Sequence, residues 1–308
     1  MKNKLKGRAY VITGPTASGK SALAVCLAKK LNTDIISADS RQIYKGIPIA
    51  TAVPETEERD GVTHHLMEIL PLEASYNAYN FENDALQLAI DTIEEKGSVV
   101  VCGGSMLYID SFCNGIDRMP DVPEELRKRL EKEWINKGND WLLNYLERVD
   151  PVSFHRIDLQ NMKRVFHAVE VSLAAEKPYS SFLGGEKIDR PFFLSKICLQ
   201  GDRSLLFDKI NSRVLKMIDK GLLEEAKKVY SKRDYKSLDT VGLKEMFAYL
   251  EGTFTLEETI GRIGKNTRVY AKKQMTWHKK YNGWQFLDFE TMPAVNAEII
   301  LKESKSSC

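Results

Sequence analysis

The stretch AYVITGPTASGKS, residues 9–21, decides the fold of this chain. Its first five residues form a short apolar run typical of a buried strand, and a helical pattern follows from Lys20 to Leu31. Between them lies the spacing GxxxxGK[ST] of a phosphate-binding loop. Glycines let successive backbone N–H groups face one concavity, and the following helix adds its positive end. The sequence therefore predicts a binding site for a polyphosphate-type group.

Different residues of this loop are expected to contact different parts of the ligand. Lys20 supplies a cation for phosphate oxygens, and the hydroxyl of Ser21 suits Mg²⁺, which makes Mg²⁺ the expected cofactor. The predicted diphosphate-binding residues are Gly14, Pro15, Thr16, Ala17, Ser18, Gly19, Lys20 and Ser21. The motif does not say whether the reaction breaks a P–O–P bond or expels a diphosphate.

Further apolar runs extend the strand–helix pattern. They cover Asp34–Ala38, Val99–Cys102 and Phe192–Leu199, and Phe81–Lys96 has apolar residues at helical spacing. Short continuous apolar runs between helices are typical of a parallel sheet buried on both faces. We expect an α/β fold, a P-loop NTPase-like parallel sheet with flanking helices. From Leu205 the pattern is helical through Trp277, and a polar tail is expected at Lys302–Cys308.

The segment from Pro120 to Pro191 differs in character, because it is rich in Glu, Lys and Arg at helical spacing and shows no convincing strand. It predicts a helical insertion domain, residues 120–191, within a catalytic core formed by residues 1–119 and 192–308. The alternative is that these helices simply cover the sheet.

Composition narrows the class of protein. The chain has 308 residues, 43% of them hydrophobic, and a formal net charge of +2. Its five cysteines have no CxxC spacing, so neither a disulfide framework nor a zinc site is predicted. No signal peptide or transmembrane run is recognisable. We expect a cytoplasmic protein, a monomer with no membrane partner.

Two features follow strands at the predicted ligand edge of the sheet. Asp39 ends the second apolar run, where a carboxylate could take a proton or coordinate Mg²⁺ through water. The alternative for Asp39 is a turn or helix cap. Gly103 and Gly104 close the third run, which lacks the terminal Asp of a usual Walker B strand. That absence disfavours a motor ATPase.

A basic stretch lies near the C-terminus. Residues 262–280 contain seven Lys or Arg and no acid. On a helix, Lys265, Arg268, Lys272 and Lys279 share one face, whereas Ile263, Tyr270 and Trp277 fall opposite and are expected to pack. A positive face favours nucleic-acid phosphates; an ordinary solvated face and a membrane surface are the alternatives.

Eight motifs spread over nearly the whole chain carry a family resemblance. They are GPTASGKS (14–21), DSRQIY (39–44), GGSMLY (103–108), QNMKR (160–164), the pair Asp202-Arg203, GLLEEAKK (221–228), TVGLKE (240–245) and TRVYAKKQMTWHKK (267–280). Together they resemble the tRNA dimethylallyltransferases, also called tRNA isopentenyltransferases, of the bacterial type. Departures are small: the family commonly has Thr at Ser105 and Arg at Lys273, and an Arg-rich motif where Met162 and Lys163 stand.

The resemblance implies a reaction. A dimethylallyl group passes from dimethylallyl diphosphate to the N6 amine of the adenosine 3′ of the anticodon, in tRNAs that read codons beginning with U. The product is N6-isopentenyladenosine. By resemblance Thr16 and Arg203 hold the diphosphate, and Asp39 takes the proton of the amine.

The resemblance also implies a set of tRNA contacts and names the anticodon stem-loop as partner, with the insertion as its clamp. The residues are Asp39, Ser40, Arg41, Gln42, Ser105, Arg127, Gln160, Asn161, Met162, Lys163, Arg164, Lys244, Arg268, Lys272 and Lys273. Two other functions share the loop: an ATP-dependent small-molecule kinase and a nucleic-acid-binding ATPase. The first leaves the basic stretch unexplained, and the second lacks the strand-end carboxylate.

Overall fold

The computed structural model describes residues 5–185, 189–279 and 283–306. The chain divides into two compact units: Met1–Asn114 with Asp189–Cys308, and Gly115–Ile188. The insertion was predicted from the prolines to span residues 120–191. The contacts within each unit place its limits at residues 115 and 188 instead.

The larger unit is built on a parallel sheet. In the described residues it has six strands in the order β3-β2-β4-β1-β5-β6. The strands are β1 (Arg8–Thr13), β2 (Ile35–Ser37), β3 (His64–His65), β4 (Ser98–Cys102), β5 (Phe193–Gln200) and β6 (Gln285–Asp288). β1 lies between β4 and β5 and pairs with both in parallel. Its central position explains its continuous apolar sequence, and the predicted α/β class is confirmed.

Helices surround this sheet. They are α1 (Lys20–Leu31), α2 (Pro48–Thr51), α3 (Thr56–Arg59), α4 (Ala78–Lys96), α5 (Met106–Asn114), α9 (Arg203–Asp219), α10 (Leu222–Val229), α11 (Leu243–Leu250), α12 (Leu256–His278) and α13 (Pro293–Ser306), with 3₁₀ turns at Tyr230–Lys232 and Lys236–Leu238. The core between β1 and α1 contains Ile12, Leu23 and Leu27, all but inaccessible to solvent. No helix in the described ranges is both long and apolar enough to cross a lipid bilayer.

The smaller unit is helical. It contains α6 (Glu124–Val149), α7 (Pro151–Arg156), α8 (Met162–Ala175) and a 3₁₀ turn at Tyr179–Phe182. α6 is kinked at Gly138, whose φ of 80° is outside the helical region. Its own core packs Leu142 and Leu146 of α6 against Val165 and Val169 of α8. A separate apolar core is what a domain needs to be compact by itself.

Three of the elements that escaped the sequence analysis complete the sheet and its cover. β3 has two residues and β6 has four, too short for a periodic pattern to identify. α13 is the third, and it extends to Ser306, into the polar tail that was expected at Lys302–Cys308. It packs against α1, and its residues Ala297 and Ile300 are buried. Burial of these apolar side chains stabilises the helix, although most residues around them are polar.

Gly103 tests how closely the turns that follow β4 and β2 approach each other. A Cβ on Gly103 would lie 2.0 Å from the carbonyl oxygen of Ala38, a backbone atom that cannot move aside. We expect Gly103→Ala to lower the free energy of unfolding by about 1–3 kcal/mol, as overpacking does. Urea denaturation measures it.

The matched control for this substitution is Gly261→Ala. Gly261 is exposed within α12, and its added Cβ meets no atom within 4 Å. Alanine should stabilise the helix there by about 0.5–1 kcal/mol. Equal effects at both positions would contradict the close contact at Gly103.

Candidate active site

The loop that joins β1 to α1 has the curled backbone of an anion cradle. Gly14 has a φ of 151° and Gly19 a φ of 80°, while Ala17 between them lies at 64° in the left-handed region. A Cβ on Gly14 would lie 2.9 Å from the carbonyl oxygen of Leu199, so glycine is required there. The hydroxyl of Ser18 is buried and has no hydrogen-bond partner. An unused donor inside the loop fits an anion as the missing partner.

Lys20 places a desolvated cation beside the loop. Burial lowers the pKa of its ammonium, and nearby Arg213 lowers it further, while Cys102 and Asp39 act in the opposite direction. The ammonium donates to the carbonyl of Pro15 over 3.4 Å, a long contact. Because the protein stabilises this charge only weakly, a bound anion would stabilise it strongly.

Asp39 combines the two interpretations that the sequence left open. Its Oδ1 accepts from the backbone N–H of Arg41 at 2.9 Å, which is a local turn. The same carboxylate lies on the wall of a cavity of about 310 Å³ that Thr16 and Arg213 also line. The turn fixes one oxygen by hydrogen bonding, so the carboxylate is held in place at the cavity.

The turn after β4 brings Ser105 to the same cavity. The backbone N–H of Ser40 donates to the Ser105 hydroxyl at 2.8 Å, and that hydroxyl donates to the Ser40 hydroxyl at 3.1 Å. These bonds tie the turn after β4 to the turn after β2. They are possible because the two strands are parallel neighbours that end at one edge.

α12 contributes three side chains beside the loop. The amide of Gln274 accepts from the Thr16 N–H at 2.9 Å and donates to the Gly104 carbonyl at 2.8 Å. The Tyr270 hydroxyl donates to the same carbonyl at 3.2 Å. Burial raises the pKa of Tyr270 to about 12, and Asp39 adds to the shift, so the phenol remains protonated. His278 lies against Thr13, with 3.3 Å between Nε2 and Oγ1.

α9 contributes Arg213, whose Nη1 donates to the Thr16 hydroxyl at 3.3 Å. Burial lowers the pKa of the guanidinium, an effect that Asp39 and Glu58 partly offset. An arginine with so high an ordinary pKa stays charged, so Arg213 is a second cation at the loop. Arg213, Thr16 of the loop and the Asp39 carboxylate therefore line one cavity, and Lys20 lies beside the loop outside that lining.

The cavity wall combines apolar and polar side chains. Its apolar side chains are Ala50, Ile210, Val214, Met217, Val241 and Ile263, and Asp39, Arg41, Ser105, Arg213 and Tyr270 are among its polar ones. Such a cavity can hold an anionic group at one end and a small hydrocarbon beside a proton acceptor. It combines leaving-group stabilisation with a base, as group transfer from a diphosphate requires.

Known proteins are similar to this chain over most of its length. The sequence profile of the IPP transferase family matches residues 42–281. The tRNA dimethylallyltransferase 2 of Parabacteroides distasonis is 44% identical over 270 residues, 88% of this chain and 90% of the relative. The tRNA dimethylallyltransferase 1 of Phocaeicola vulgatus is 43% identical over the same shares. This chain belongs to the tRNA dimethylallyltransferase family.

Solved structures of this family agree with the fold. The tRNA Δ(2)-isopentenylpyrophosphate transferase of Staphylococcus epidermidis has a TM-score of 0.71 and 31% identity, over 98% of this chain and 100% of that one. A eukaryotic dimethylallyltransferase acting on tRNA has a TM-score of 0.78 and 26% identity, over 92% and 74%. The chain is therefore a prenyltransferase, and the family resemblance drawn from its motifs is confirmed.

Among the residues predicted for this dimethylallyltransferase, six line the 310 Å³ cavity: Thr16, Asp39, Ser40, Arg41, Ser105 and Lys244. Arg41 is anchored, since its guanidinium donates to the carbonyls of Lys236 at 2.6 Å and Asp239 at 2.9 Å. Lys244 forms an ion pair with Asp239 at 2.7 Å. Gln42 is outside the lining; its amide donates to the carbonyls of Thr51 and Ala52.

The predicted RNA-binding cations of α12 lie away from the cavity. Lys272 and Lys273 are exposed, and the Lys272 ammonium lies 5.6 Å from the ring centre of Phe207. Arg268 donates to the Asn211 side chain. Of the residues expected to pack, Ile263 is buried whereas Tyr270 is 38% exposed, and both line the cavity. The buried face runs through Ile263, Ala271, Gln274 and His278.

The smaller unit holds the remaining predicted contacts. Arg127 forms two hydrogen bonds with Glu170, at 2.8 and 2.9 Å, so its charge is already paired. Asn161 caps α8 by accepting from the Arg164 N–H at 3.3 Å, and Met162 packs against the unit's core. Gln160, Lys163 and Arg164 have exposed side chains.

The sequence analysis assigned one site arginine and missed another. Arg203 does not line the cavity; its guanidinium lies 5.1 Å from the ring centre of Phe207. Arg213 contacts Thr16 instead. A signal existed, because Arg213 is seven residues after buried Leu206 and three after buried Ile210, where a helix face should be apolar. Gln274, likewise polar on a buried face, was also missed.

The Ser21 hydroxyl is a protein oxygen at the loop that could bind a divalent metal ion. The exposed Ser21 hydroxyl lines a second cavity of about 560 Å³, which also reaches Arg213. Within the described residues no cluster of three His, Cys, Asp or Glu side chains forms a metal site. One hydroxyl beside a diphosphate fits Mg²⁺, which keeps several waters and binds substrate phosphates.

His278 makes the stability of this family member depend on pH. Burial, with Lys20 nearby, lowers the pKa of His278 to about 4. The folded state holds the ring neutral, so its contribution is complete above the ordinary pKa and is lost as the pH falls from about 6.5 towards 4. Between pH 7.5 and pH 5 the wild type should lose about 2 kcal/mol of unfolding free energy from this group.

His278→Gln should remove that component of the pH dependence, as measured by urea denaturation at both pH values. His155→Gln, an exposed histidine in α7, is the control and should retain it. Parallel pH profiles for wild type and His278→Gln would refute the assignment.

Arg213 and Arg203 can be tested against each other. We expect Arg213→Gln to weaken the binding of inorganic diphosphate at least about tenfold, since charge-assisted hydrogen bonds contribute about 1.5–3 kcal/mol. Arg203→Gln should change it by less than about twofold. Isothermal titration calorimetry measures both.

Arg233→Gln is the control, because its guanidinium also lies over an aromatic ring, 4.6 Å from the centre of Tyr230. The opposite ranking of the Arg213 and Arg203 variants would restore the role that the sequence motif gave to Arg203.

Proposed function

We propose that this chain transfers a dimethylallyl group from dimethylallyl diphosphate to the N6 amine of the adenosine 3′ of the anticodon, in tRNAs reading codons that begin with U. The observation that carries the proposal is the 310 Å³ cavity, in which Asp39 faces the same space as Thr16, Arg213 and an apolar wall. The catalytic parts of such a transfer are a diphosphate site, a hydrocarbon site and a base.

The phosphate loop holds the diphosphate. The Ser18 hydroxyl, Lys20 and Arg213 supply a donor and positive charge where negative charge develops. Mg²⁺ held near Ser21 would neutralise part of the charge of the leaving diphosphate. The bond between C1 and the bridging oxygen breaks, and the bonding electrons leave with the diphosphate.

Asp39 is the base for the amine. The lone pair of N6 attacks C1 as the carbon–oxygen bond breaks, and the N6 proton passes to the Asp39 carboxylate. The bond from the Arg41 N–H fixes one oxygen and leaves the other for the amine. The apolar side chains Val214, Met217 and Ile263 would keep water from C1.

Cationic side chains outside the cavity bind the RNA. The adenosine must leave its stack to reach C1, which requires a grip on the surrounding phosphates. Lys272 and Lys273 of α12, and Lys163 and Arg164 of the smaller unit, are exposed and suited to that task. With tRNA as the substrate, we place the enzyme in the cytoplasm.

A kinase would use the same loop but has no need of an apolar wall beside the carboxylate. The deciding experiment incubates the enzyme with unmodified tRNA and dimethylallyl diphosphate labelled in the prenyl carbons, beside a parallel reaction with γ-labelled ATP. Label should enter the RNA in the first reaction and not in the second. Rapid ATP turnover without prenylated RNA would refute the proposal.

Asp39→Asn tests the base. Asparagine keeps an oxygen for the Arg41 N–H, so the turn survives while the basic group is lost. We expect prenyl transfer to fall about 10²–10⁴-fold, with the affinity for inorganic diphosphate changed less than about threefold. Single-turnover kinetics measures the transfer.

The control is Asp60→Asn at the exposed end of α3, where the left-handed φ of 48° suits asparagine equally well. It should transfer at the wild-type rate. Near-normal transfer by Asp39→Asn would show that another group accepts the proton.

A further inference from the structure

One side-chain amide joins the basic helix α12 to the phosphate loop. Gln274 is 1% exposed, and both ends of its amide are used. Oε1 accepts from the Thr16 N–H at 2.9 Å, and Nε2 donates to the Gly104 carbonyl at 2.8 Å. The amide therefore bridges the turns that follow β1 and β4, two adjacent strands.

This bridge has little freedom to move by itself. A Cβ on Gly104 would lie 2.6 Å from Nε2, so the amide rests directly on the Gly104 backbone. Two hydrogen bonds to different loops fix the position and rotation of the amide plane. A displacement of α12 at Gln274 must therefore move the loop or break a buried hydrogen bond.

The partner of Oε1 is a backbone group of the phosphate loop itself. The Thr16 N–H belongs to the phosphate-binding turn, and the Thr16 hydroxyl accepts from Arg213 at 3.3 Å. The Thr16 N–H donates to Gln274, so this bond holds the Thr16 peptide and with it the hydroxyl that Arg213 reaches. Gln274 itself lies outside the loop, on α12.

The opposite face of α12 is positively charged and open. Lys265, Lys272 and Lys273 are exposed on the helix that carries Gln274. An RNA that binds these cations acts on α12, and α12 reaches the loop through the amide. The connection is a direct one, from exposed ammonium to helix to Gln274 to the Thr16 peptide.

We propose that Gln274 is a positioning residue that couples RNA binding on α12 to the affinity of the phosphate loop for diphosphate. The inference rests on the proposed function, because it takes RNA as the ligand of the cationic face. Coupling between two sites is reciprocal, so RNA raises the affinity for diphosphate by the factor by which diphosphate raises that for RNA. A residue that only packed α12 on the sheet would lower stability and leave this factor unchanged.

The experiment measures that factor with the full chain. Calorimetry gives the dissociation constant of inorganic diphosphate with and without a saturating, unmodified anticodon stem-loop RNA. Inorganic diphosphate serves as the probe because it cannot react. In the wild type the RNA should tighten diphosphate binding about tenfold, within the usual range of coupling between sites.

Gln274→Met keeps the volume of the side chain and removes both hydrogen bonds. The factor should fall to about one, while each ligand still binds alone. Gln87→Met is the matched control, since Gln87 is an exposed glutamine of α4 bonded only to Asp91 of its own helix at 2.8 Å. It should keep the wild-type factor. A wild-type factor of about one, or an undiminished factor in Gln274→Met, would overturn the inference.

A second variant decides the matter if Gln274→Met does not fold, which thermal melting shows. Gln274→Glu keeps an oxygen for the Thr16 N–H but cannot donate to Gly104 when ionised. Its factor should fall at least about threefold below the wild type, and an unchanged factor overturns the coupling. Prenyl transfer by the wild type separates the two proposals: transfer with unchanged coupling in the variants defeats this inference alone, whereas absence of transfer defeats the proposed function.

Discussion

The structure depends on a desolvated ammonium at the end of the central strand. The Lys20 ammonium is desolvated beside the loop, where it donates to the carbonyl of Pro15 over 3.4 Å. Such a charge is costly until an anion reaches it, so the free energy that a bound diphosphate gains is already stored in the loop. Arg213, brought by α9, doubles the positive charge and makes the site selective for a multiply charged anion.

The rest of the site follows from how parallel strands end. β2, β4 and β1 are neighbours, so Asp39, Ser105 and Thr16 come within reach of one cavity. The chain must then close the cavity on its open side, and helices from the second half of the sequence do so. α9 supplies Ile210 and Val214, and α12 supplies Ile263 and Tyr270. The phosphate loop and the Asp39 carboxylate thus come from the first half of the chain, and Arg213 and most of the apolar wall come from the second.

Prediction succeeded where a residue's role is decided by its immediate neighbours. The loop at Gly14–Ser21 has positive φ values at glycines because its own spacing requires them, and α1 begins at Lys20 as its pattern indicated. It did not anticipate contacts that depend on a distant segment. Arg213 and Arg203 share one helix, and the family resemblance favoured Arg203. Only packing against Thr16 distinguishes them.

The sequence by itself determined the phosphate loop, the parallel α/β sheet, the helical character of the smaller unit and the family. These follow from local spacing and from periodicity, which short-range sterics and burial enforce. The tertiary structure alone decided that Tyr270 faces the cavity, that Arg213 reaches the loop, and that Gln274 joins two strand ends 170 and 258 residues away in the chain. Contacts over such separations depend on how whole helices pack, and a single sequence carries no local signal of which side chain the packing brings to the site.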